Sequence, residues 1–175
     1  MKRTIGAIAF TLMAALALPV ASAASNDTEL YGYAASKADE SPTIEDMLLY
    51  AAQDEYMARS EYLAIMKKFG TMRPFSNIAR AEENHLAWLK DAYAVYAIAF
   101  PSDQSAAHLA IPATLLEAYK AGVQAEIDNI AMYDRFLATD LLQSAENKDF
   151  KVLFTNLRNA SENHLGAFQN QLSRY

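Results

Sequence analysis

The chain has 175 residues and a formal net charge of −6, an acidic balance that argues against nucleic acid or an anionic membrane as a partner. It contains no cysteine, which excludes disulfides, thiolate metal ligands and thiol chemistry. The length is enough for one domain with a well-buried core.

The first 23 residues are typical of a signal peptide. A basic start at Lys2 and Arg3 precedes an apolar run over residues 5–20, and the small residues 21–23 (Ala-Ser-Ala) form an A-x-A cleavage site. The apolar run is short for a transmembrane helix, so we predict cleavage after Ala23 and no stable membrane insertion afterwards. The protein is therefore expected to be exported and periplasmic, with secretion to the medium as the alternative.

Residues 24–42 are small and polar and show little periodicity, which predicts a flexible linker or a loosely docked tail. The remaining residues, 43–175, form the predicted helical domain. Its first helix is predicted to start at residues 41–43 (Ser-Pro-Thr), which with Glu45 and Asp46 give an N-cap and an acidic first turn, and to run to about Phe69, where Gly70 ends it. Pro74 lies near the start of the second helix, so a tight turn joins the two helices as an antiparallel hairpin.

Two further helices are predicted in the second half of the domain. The second helix should end near Ala99, and an irregular connection over residues 100–111 separates it from a third helix over about 112–139. A fourth helix follows over about 148–172. The connection of a dozen residues is long enough to return along the bundle, although a plain up-down bundle remains open.

Each predicted helix carries an apolar track with steps of three or four residues, the spacing of an inward-facing helix stripe. Polar side chains interrupt each track at mid-length. Ionised carboxylates are costly to bury without a partner, and no Lys or Arg lies on the tracks. A bound metal cation is the simplest partner, although Arg59 or Arg158 could instead turn inward and neutralise a carboxylate. The interrupting residues are Glu55, Glu82, His85, Glu126, Ser161 and His164.

The second and fourth helices share a motif. Residues 81–86 read AEENHL and residues 160–165 read ASENHL, with one mismatch. A duplicated helix pair explains this similarity economically, and chance similarity of two helical segments is the alternative. In each hairpin the interrupting residues lie about 16–24 Å from the turn at 1.5 Å per residue, so all of them can meet in one layer.

Glu82 and His85 lie one turn apart on one helix face, after a lone glutamate, Glu55, on the preceding helix. This pattern resembles the half-site of carboxylate-bridged di-metal bundles, and the chain resembles the ferritin-like superfamily of the rubrerythrin and ferritin type. The resemblance implies an all-α, ferritin-like four-helix bundle, with two antiparallel helix hairpins joined by a long crossover. The metal ligands it implies are Glu55, Glu82, His85, Glu126 and His164.

More narrowly, the chain resembles an uncharacterised ferritin-like family, domain of unknown function 2202. The matching stretches are 54–59 (DEYMAR), 75–79 (FSNIA) and 161–165 (SENHL), and the resemblance covers about residues 44–172. It implies the fold and metal binding, and it supplies no reaction.

One position departs from the di-iron pattern. The fourth helix should carry E-x-x-H but has Ser161 before His164, so one bridging carboxylate is lost. We expect two Fe ions, or one if the site is incomplete, with Mn or Zn as alternatives, because oxygen and nitrogen ligands suit all three metals. Tyr62 and Tyr133 are expected to be core tyrosines that hydrogen-bond to the carboxylates rather than redox relays.

The best functional hypothesis is non-haem iron or manganese redox chemistry, as a ferroxidase or a peroxide-consuming enzyme that uses peroxide or dioxygen. One alternative is a metal-binding or metal-buffering protein without turnover. Another is a structural helical bundle with a degenerate site. The sequence leaves open whether the chain is an enzyme and whether it forms a homo-oligomer.

Overall fold

The computed structural model describes residues 29–175, so the predicted signal peptide, residues 1–23, lies outside the described residues. Over residues 29–175 the regular structure is helical and contains no strand. None of these helices combines the length and the apolar character that crossing a membrane requires. The helices are α1 (Tyr33–Ala38), α2 (Ile44–Phe69), α3 (Phe75–Val95), α4 (Leu115–Leu137), α5 (Asp140–Gln143) and α6 (Lys148–Leu172).

Capping boxes start two of the four long helices. The Thr43 side chain accepts a hydrogen bond from the backbone N–H of Asp46, whose carboxylate accepts one from the backbone N–H of Thr43. Thr114 and Glu117 make the same reciprocal pair at the start of α4. Each box satisfies N–H groups that the first helical turn leaves without partners, so the sequence fixes where α2 and α4 begin.

Helix α3 ends at Val95, four residues before the predicted end at Ala99. Ala97 adopts a positive φ of 55°, and the N–H of Ile98 donates to the carbonyl of Tyr93 at 3.0 Å. This is the pattern of a helix that closes with a left-handed residue. The turn brings Ile98 against the core, and that burial offsets the lost helical turn.

Two apolar clusters form the core. Their members pack the four long helices together, with α2 against α3 and α4 against α6 as the closest pairs. Along every long helix the two clusters are separated by the segment that carries the buried polar residues. The first cluster includes Met47, Leu48, Leu89, Phe136 and Phe154, and the second includes Tyr62, Ile65, Phe75, Tyr119 and Phe168.

Helices α3 and α4 run in the same direction. Helix α3 begins in the second cluster at Phe75 and reaches the first at Leu89, and α4 likewise begins at Tyr119 and reaches Phe136. The connection between α3 and α4 must therefore travel the length of the helices.

The connection over residues 96–114 lies along α2. Ser105 Oγ donates to Ser60 Oγ at 2.8 Å. Further along, Lys68 Nζ donates to the carbonyl of Pro112 at 2.6 Å. The chain thus passes towards the C-terminal end of α2 before α4 starts.

The structure describes the segment predicted as a flexible linker or loosely docked tail, residues 24–42, from residue 29 onwards. Residues 31–39, which we name the N-terminal strap, contain α1 and lie on α2 and α4. The N–H of Tyr33 donates to Asp54 Oδ1 at 3.0 Å, and Arg135 donates to the carbonyl of Ser36 at 2.6 Å. These contacts satisfy backbone groups that a free linker would leave to water, and periodicity could not reveal them in so short a segment.

Candidate metal centre

The five predicted metal ligands lie together between the two apolar clusters. Helix α2 supplies Glu55, α3 supplies Glu82 and His85, α4 supplies Glu126, and α6 supplies His164. The first four are at most 3% exposed, and the His164 side chain is 11% exposed. Because buried carboxylates require compensation, the polar layer needs protons or a cation.

Glu82 lies at the middle of this layer. Its Oε2 is 2.6 Å from His85 Nδ1, and its Oε1 is 3.2 Å from His164 Nδ1. Two groups of three potential ligand atoms therefore share Glu82, and within each group the atoms lie no more than 4.8 Å apart. These buried groups could hold a metal. The groups are Glu55, Glu82 and His85, and Glu82, Glu126 and His164.

The two imidazoles differ in the hydrogen bonds that their Nδ1 atoms make. His85 Nδ1 also contacts Glu55 Oε2 at 3.0 Å. His164 Nδ1 is buried and makes no well-oriented hydrogen bond among the described residues, although Glu82 Oε1 lies 3.2 Å and Glu126 Oε2 lies 3.6 Å from it. A buried polar atom without a partner is costly, and a cation between these atoms would remove that cost.

In the protein without metal, protons balance part of the negative charge. Burial disfavours a charged His85, but the carboxylates of Glu55 and Glu82 outweigh burial and raise the pKa of His85 to about 10. In the same way Glu126 and Glu82 raise the pKa of His164 to about 9. Burial and the repulsion from Glu82 raise the pKa of Glu55 to about 7. A metal ion would compete with these protons for the same nitrogen and oxygen atoms.

Two buried tyrosines donate hydrogen bonds to the outer carboxylates. Tyr62 Oη donates to Glu126 Oε1, and Tyr133 Oη donates to Glu55 Oε1, both at 2.8 Å. Burial and the adjacent carboxylates raise the pKa of both phenols well above 10, so they remain donors. Each tyrosine reaches a glutamate in the other helix pair, a pairing that their positions in the sequence did not indicate.

Ser161, the residue in place of the expected glutamate, makes a separate hydrogen-bond chain. Its Oγ donates to Asn129 Oδ1 at 2.9 Å, and Asn129 Nδ2 donates to Asp54 Oδ2. Sequence reasoning missed Asn129 and Asp54. Asn129 lies one helical turn after Glu126, and that spacing was the signal that could have identified it.

The arginines offered as an alternative source of positive charge pair with carboxylates outside the layer. Arg59 contacts Glu83 at 3.3 Å. Arg158 contacts Glu162 at 2.8 Å and also pairs with Asp134. Internal neutralisation by either arginine was therefore the wrong alternative.

The comparisons with known proteins agree with the narrower resemblance. The model of the family described as an uncharacterized protein domain, DUF2202, matches residues 44–174. An uncharacterized protein of Methanocaldococcus jannaschii is 28% identical over 138 residues, which covers 73% of this chain and 74% of that protein. No solved structure is significantly similar to the chain. The chain belongs to the DUF2202 family.

Proposed function

We propose that this member of the DUF2202 family is an exported, ferritin-like four-helix bundle whose core binds two metal ions for non-haem redox chemistry of the ferroxidase or peroxide-consuming type. The observation that carries the proposal is the pair of buried ligand groups that share Glu82. Iron is the first choice of metal, and manganese and zinc are the alternatives. Export to the periplasm, with cleavage after Ala23, is part of the proposal.

The ferritin-like assignment is supported by the helix directions. Helices α3 and α4 run in the same direction, and the connection between them lies along α2. A bundle of two antiparallel hairpins joined by one long crossover is the arrangement of ferritin-like proteins. In such bundles the metal ligands come from facing helices at mid-length, as Glu55 and Glu126 do here.

The donor set fits two divalent cations. Glu55 and His85 would hold one ion, Glu126 and His164 would hold the other, and Glu82 would hold both. Three carboxylates and two neutral imidazoles carry −3 against +4, a balance that water or hydroxide could complete. Oxygen and nitrogen donors without sulfur suit iron, manganese or zinc. When bound, iron or manganese would supply the electrons that reduce peroxide or dioxygen.

The chain's own residues would fix the ligands and shield the layer. Tyr62 and Tyr133 hydrogen-bond to one oxygen of Glu126 and Glu55. Such partners orient ligands and tune their basicity. The second oxygen of each carboxylate faces a histidine and would bind the ion. The apolar clusters shield the layer on both sides along the helices, which strengthens electrostatic interactions in the layer.

Elemental analysis tests the metal site. Protein from iron-rich medium should contain one to two metal equivalents, and Glu82→Ala should lose most of them because both ligand groups need Glu82. Glu83→Ala is the matched control, since Glu83 is the next residue and pairs with Arg59. Equal metal contents in the parent and Glu82→Ala would overturn the site.

Metal binding without turnover is a second candidate, and Ser161 favours it. Its hydroxyl is committed to Asn129, so Glu82 is left as the shared carboxylate between the two ligand groups. Rapid oxidation of bound Fe(II) on adding peroxide would support redox chemistry. Iron that binds without catalytic oxidation would favour metal buffering, and a protein that binds no metal would be a structural bundle with a degenerate site.

A further inference from the structure

A cavity of about 180 Å³ lies beneath the N-terminal strap, between α2 and α4. Both imidazoles of the candidate metal centre come from the other two long helices, α3 and α6. A ligand in the cavity would therefore approach the centre from the side opposite the imidazoles. The volume is sufficient for several water molecules.

The cavity wall is acidic. Asp54, Glu61 and Asp128 line it together with Glu126, and none of the described lining residues is Lys or Arg. A cleft lined by charges of one sign raises the local concentration of the opposite ion.

The inner end of the cavity is part of the candidate metal centre. Glu126 is 3% exposed and lines the cavity. One of its oxygens accepts from Tyr62, and the other lies 3.6 Å from the unpartnered Nδ1 of His164. Glu126 therefore links the cavity to His164 Nδ1, a buried atom that makes no hydrogen bond among the described residues.

The N-terminal strap forms the outer wall. Tyr31 and Tyr33 line the cavity, and the N–H of Gly32 donates to Gln53 Oε1 at 3.0 Å. Gly32 has a φ of +56°, and a Cβ added there would lie 2.7 Å from Asp54 Oδ1. Only glycine allows the strap to lie this close to α2.

We propose that this cavity is the entrance through which divalent cations reach Glu126, and that the N-terminal strap restricts their passage. The inference rests on the proposed metal site. The cavity carboxylates attract the cation and guide it inward, and the strap covers part of its path.

The rate of cation uptake tests the entrance. Trp88 is the chain's only tryptophan, and its ring centre lies 5.3 Å from that of His85, so bound Co²⁺ should quench its fluorescence. Stopped-flow mixing of the metal-free protein with Co²⁺ should show uptake about 3–10-fold slower for Glu61→Gln with Asp128→Asn, the lower end of electrostatic steering. The amount of Co²⁺ bound at equilibrium should stay unchanged.

The control variant removes the same charge elsewhere. Asp91→Asn with Glu146→Gln changes two exposed carboxylates that do not line the cavity, and its uptake rate should match that of the parent. Equal slowing in both double variants would overturn the entrance, because the overall charge would then govern uptake.

A variant of the strap should act in the opposite direction. Gly32→Val places a side chain against Asp54 and strains the backbone, so the strap should detach and uptake should become faster. An unchanged rate would overturn the role of the strap. Co²⁺ binding by the parent with no rate change in any variant would overturn this inference alone, whereas a parent that binds no cation would overturn the proposed function with it.

Discussion

Ser161 determines how many carboxylates lie between the two ligand groups. The residue is 3% exposed and lies one turn before His164 on α6. Its hydroxyl satisfies Asn129 rather than the polar layer. A carboxylate at this position would give the fourth helix the same E-x-x-H motif that Glu82 and His85 form on α3.

We predict that Ser161→Glu binds the second cation at least about tenfold more tightly, equivalent to about 1.4 kcal/mol. The same change should lower the melting temperature of the metal-free protein, because it adds a buried carboxylate and removes the donor to Asn129. Titration calorimetry and thermal unfolding would measure the two effects. Ser161→Ala is the control and should change stability by only about 1 kcal/mol; equal cation affinities of parent and Ser161→Glu would contradict the prediction.

The histidines predict how the stability of the metal-free protein depends on pH. His85 and His164 have pKa values of about 10 and about 9, against about 6.5 in an unfolded chain. Their contribution to stability is therefore complete below about pH 6.5 and is lost as pH rises through 9–10. The pKa of Glu55 is raised to about 7, so this group also makes the folded protein less stable as pH rises from about 4.5 to 7.

Urea unfolding at pH 6, 8 and 10 should show a falling free energy of unfolding for the metal-free protein. The stability of His85→Gln with His164→Gln should depend less on pH between 8 and 10, because the two histidines whose pKa values rise on folding are removed. If the free energy of unfolding of the double variant fell with pH as steeply as that of the parent, groups other than the two histidines would govern the pH dependence.

The sequence predicted the buried residues of the polar layer better than the residues that surround them. Glu55, Glu82 and Glu126 could be identified because a charge on an apolar track breaks a periodic pattern. The hydrogen bonds from Tyr62 and Tyr133 join different helix pairs, and periodicity along one helix carries no information about such pairs.

At the scale of helices, two glycines on facing helices allow a matched comparison. A Cβ added to Gly122 on α4 would lie 2.7 Å from the ring of Phe168 on α6. No atom lies within 4 Å of a Cβ added to Gly166. The close packing of α4 against α6 therefore requires a glycine at position 122, whereas no packing contact requires one at position 166.

We predict that Gly122→Ala lowers the free energy of unfolding by about 1–3 kcal/mol, because Phe168 is fully buried and must move. Gly166→Ala should raise it by about 0.5–1 kcal/mol through higher helix propensity. Urea unfolding would measure both. Similar effects of the two substitutions would contradict the assigned packing.

Helix boundaries could be predicted where local chemistry sets them. The prediction for the first helix agrees with α2, whose start has a threonine cap and whose end has Gly70, and residues 148–172 agree with α6. The end of α3 was misjudged because tertiary packing of Ile98 sets it. The start predicted at about residue 112 was three residues early, since Thr114 rather than Pro112 caps α4.

At the scale of the whole molecule, the ligand groups join the two helix pairs. Glu82 belongs to the α2–α3 pair, whereas Glu126 and His164 belong to the α4–α6 pair. A cation bound between them would stabilise only the folded arrangement, because an unfolded chain does not assemble these groups.

We predict that divalent cation at about one hundred times its dissociation constant stabilises the protein by about 2.7 kcal/mol and raises the melting temperature by about 5–10 °C. Glu82→Ala should show little of this increase, and Glu83→Ala should retain it. Differential scanning calorimetry with and without Mn²⁺ would measure the shift. A full shift in Glu82→Ala would mean that the cation binds elsewhere.

The sequence predicted the all-helical class and the family, and both are confirmed over the matched residues. It did not predict that residues 31–39 lie on α2 and α4. The contacts that hold this strap are mostly between backbone groups and side chains distant in sequence, such as Tyr33 with Asp54 and Ser36 with Arg135. Periodicity and composition do not report contacts of that kind.

The tyrosine hydrogen bonds that cross between the helix pairs have a consequence for how such a chain could have arisen. Each helix pair, α2–α3 or α4–α6, is one half of the bundle. Each half holds a glutamate, Glu55 or Glu126, whose tyrosine donor lies in the other half. A forerunner consisting of one half would have been incomplete as a single molecule. Two identical copies, related by a twofold axis, would have completed each other, so fusion of the genes would have preserved an already reciprocal assembly.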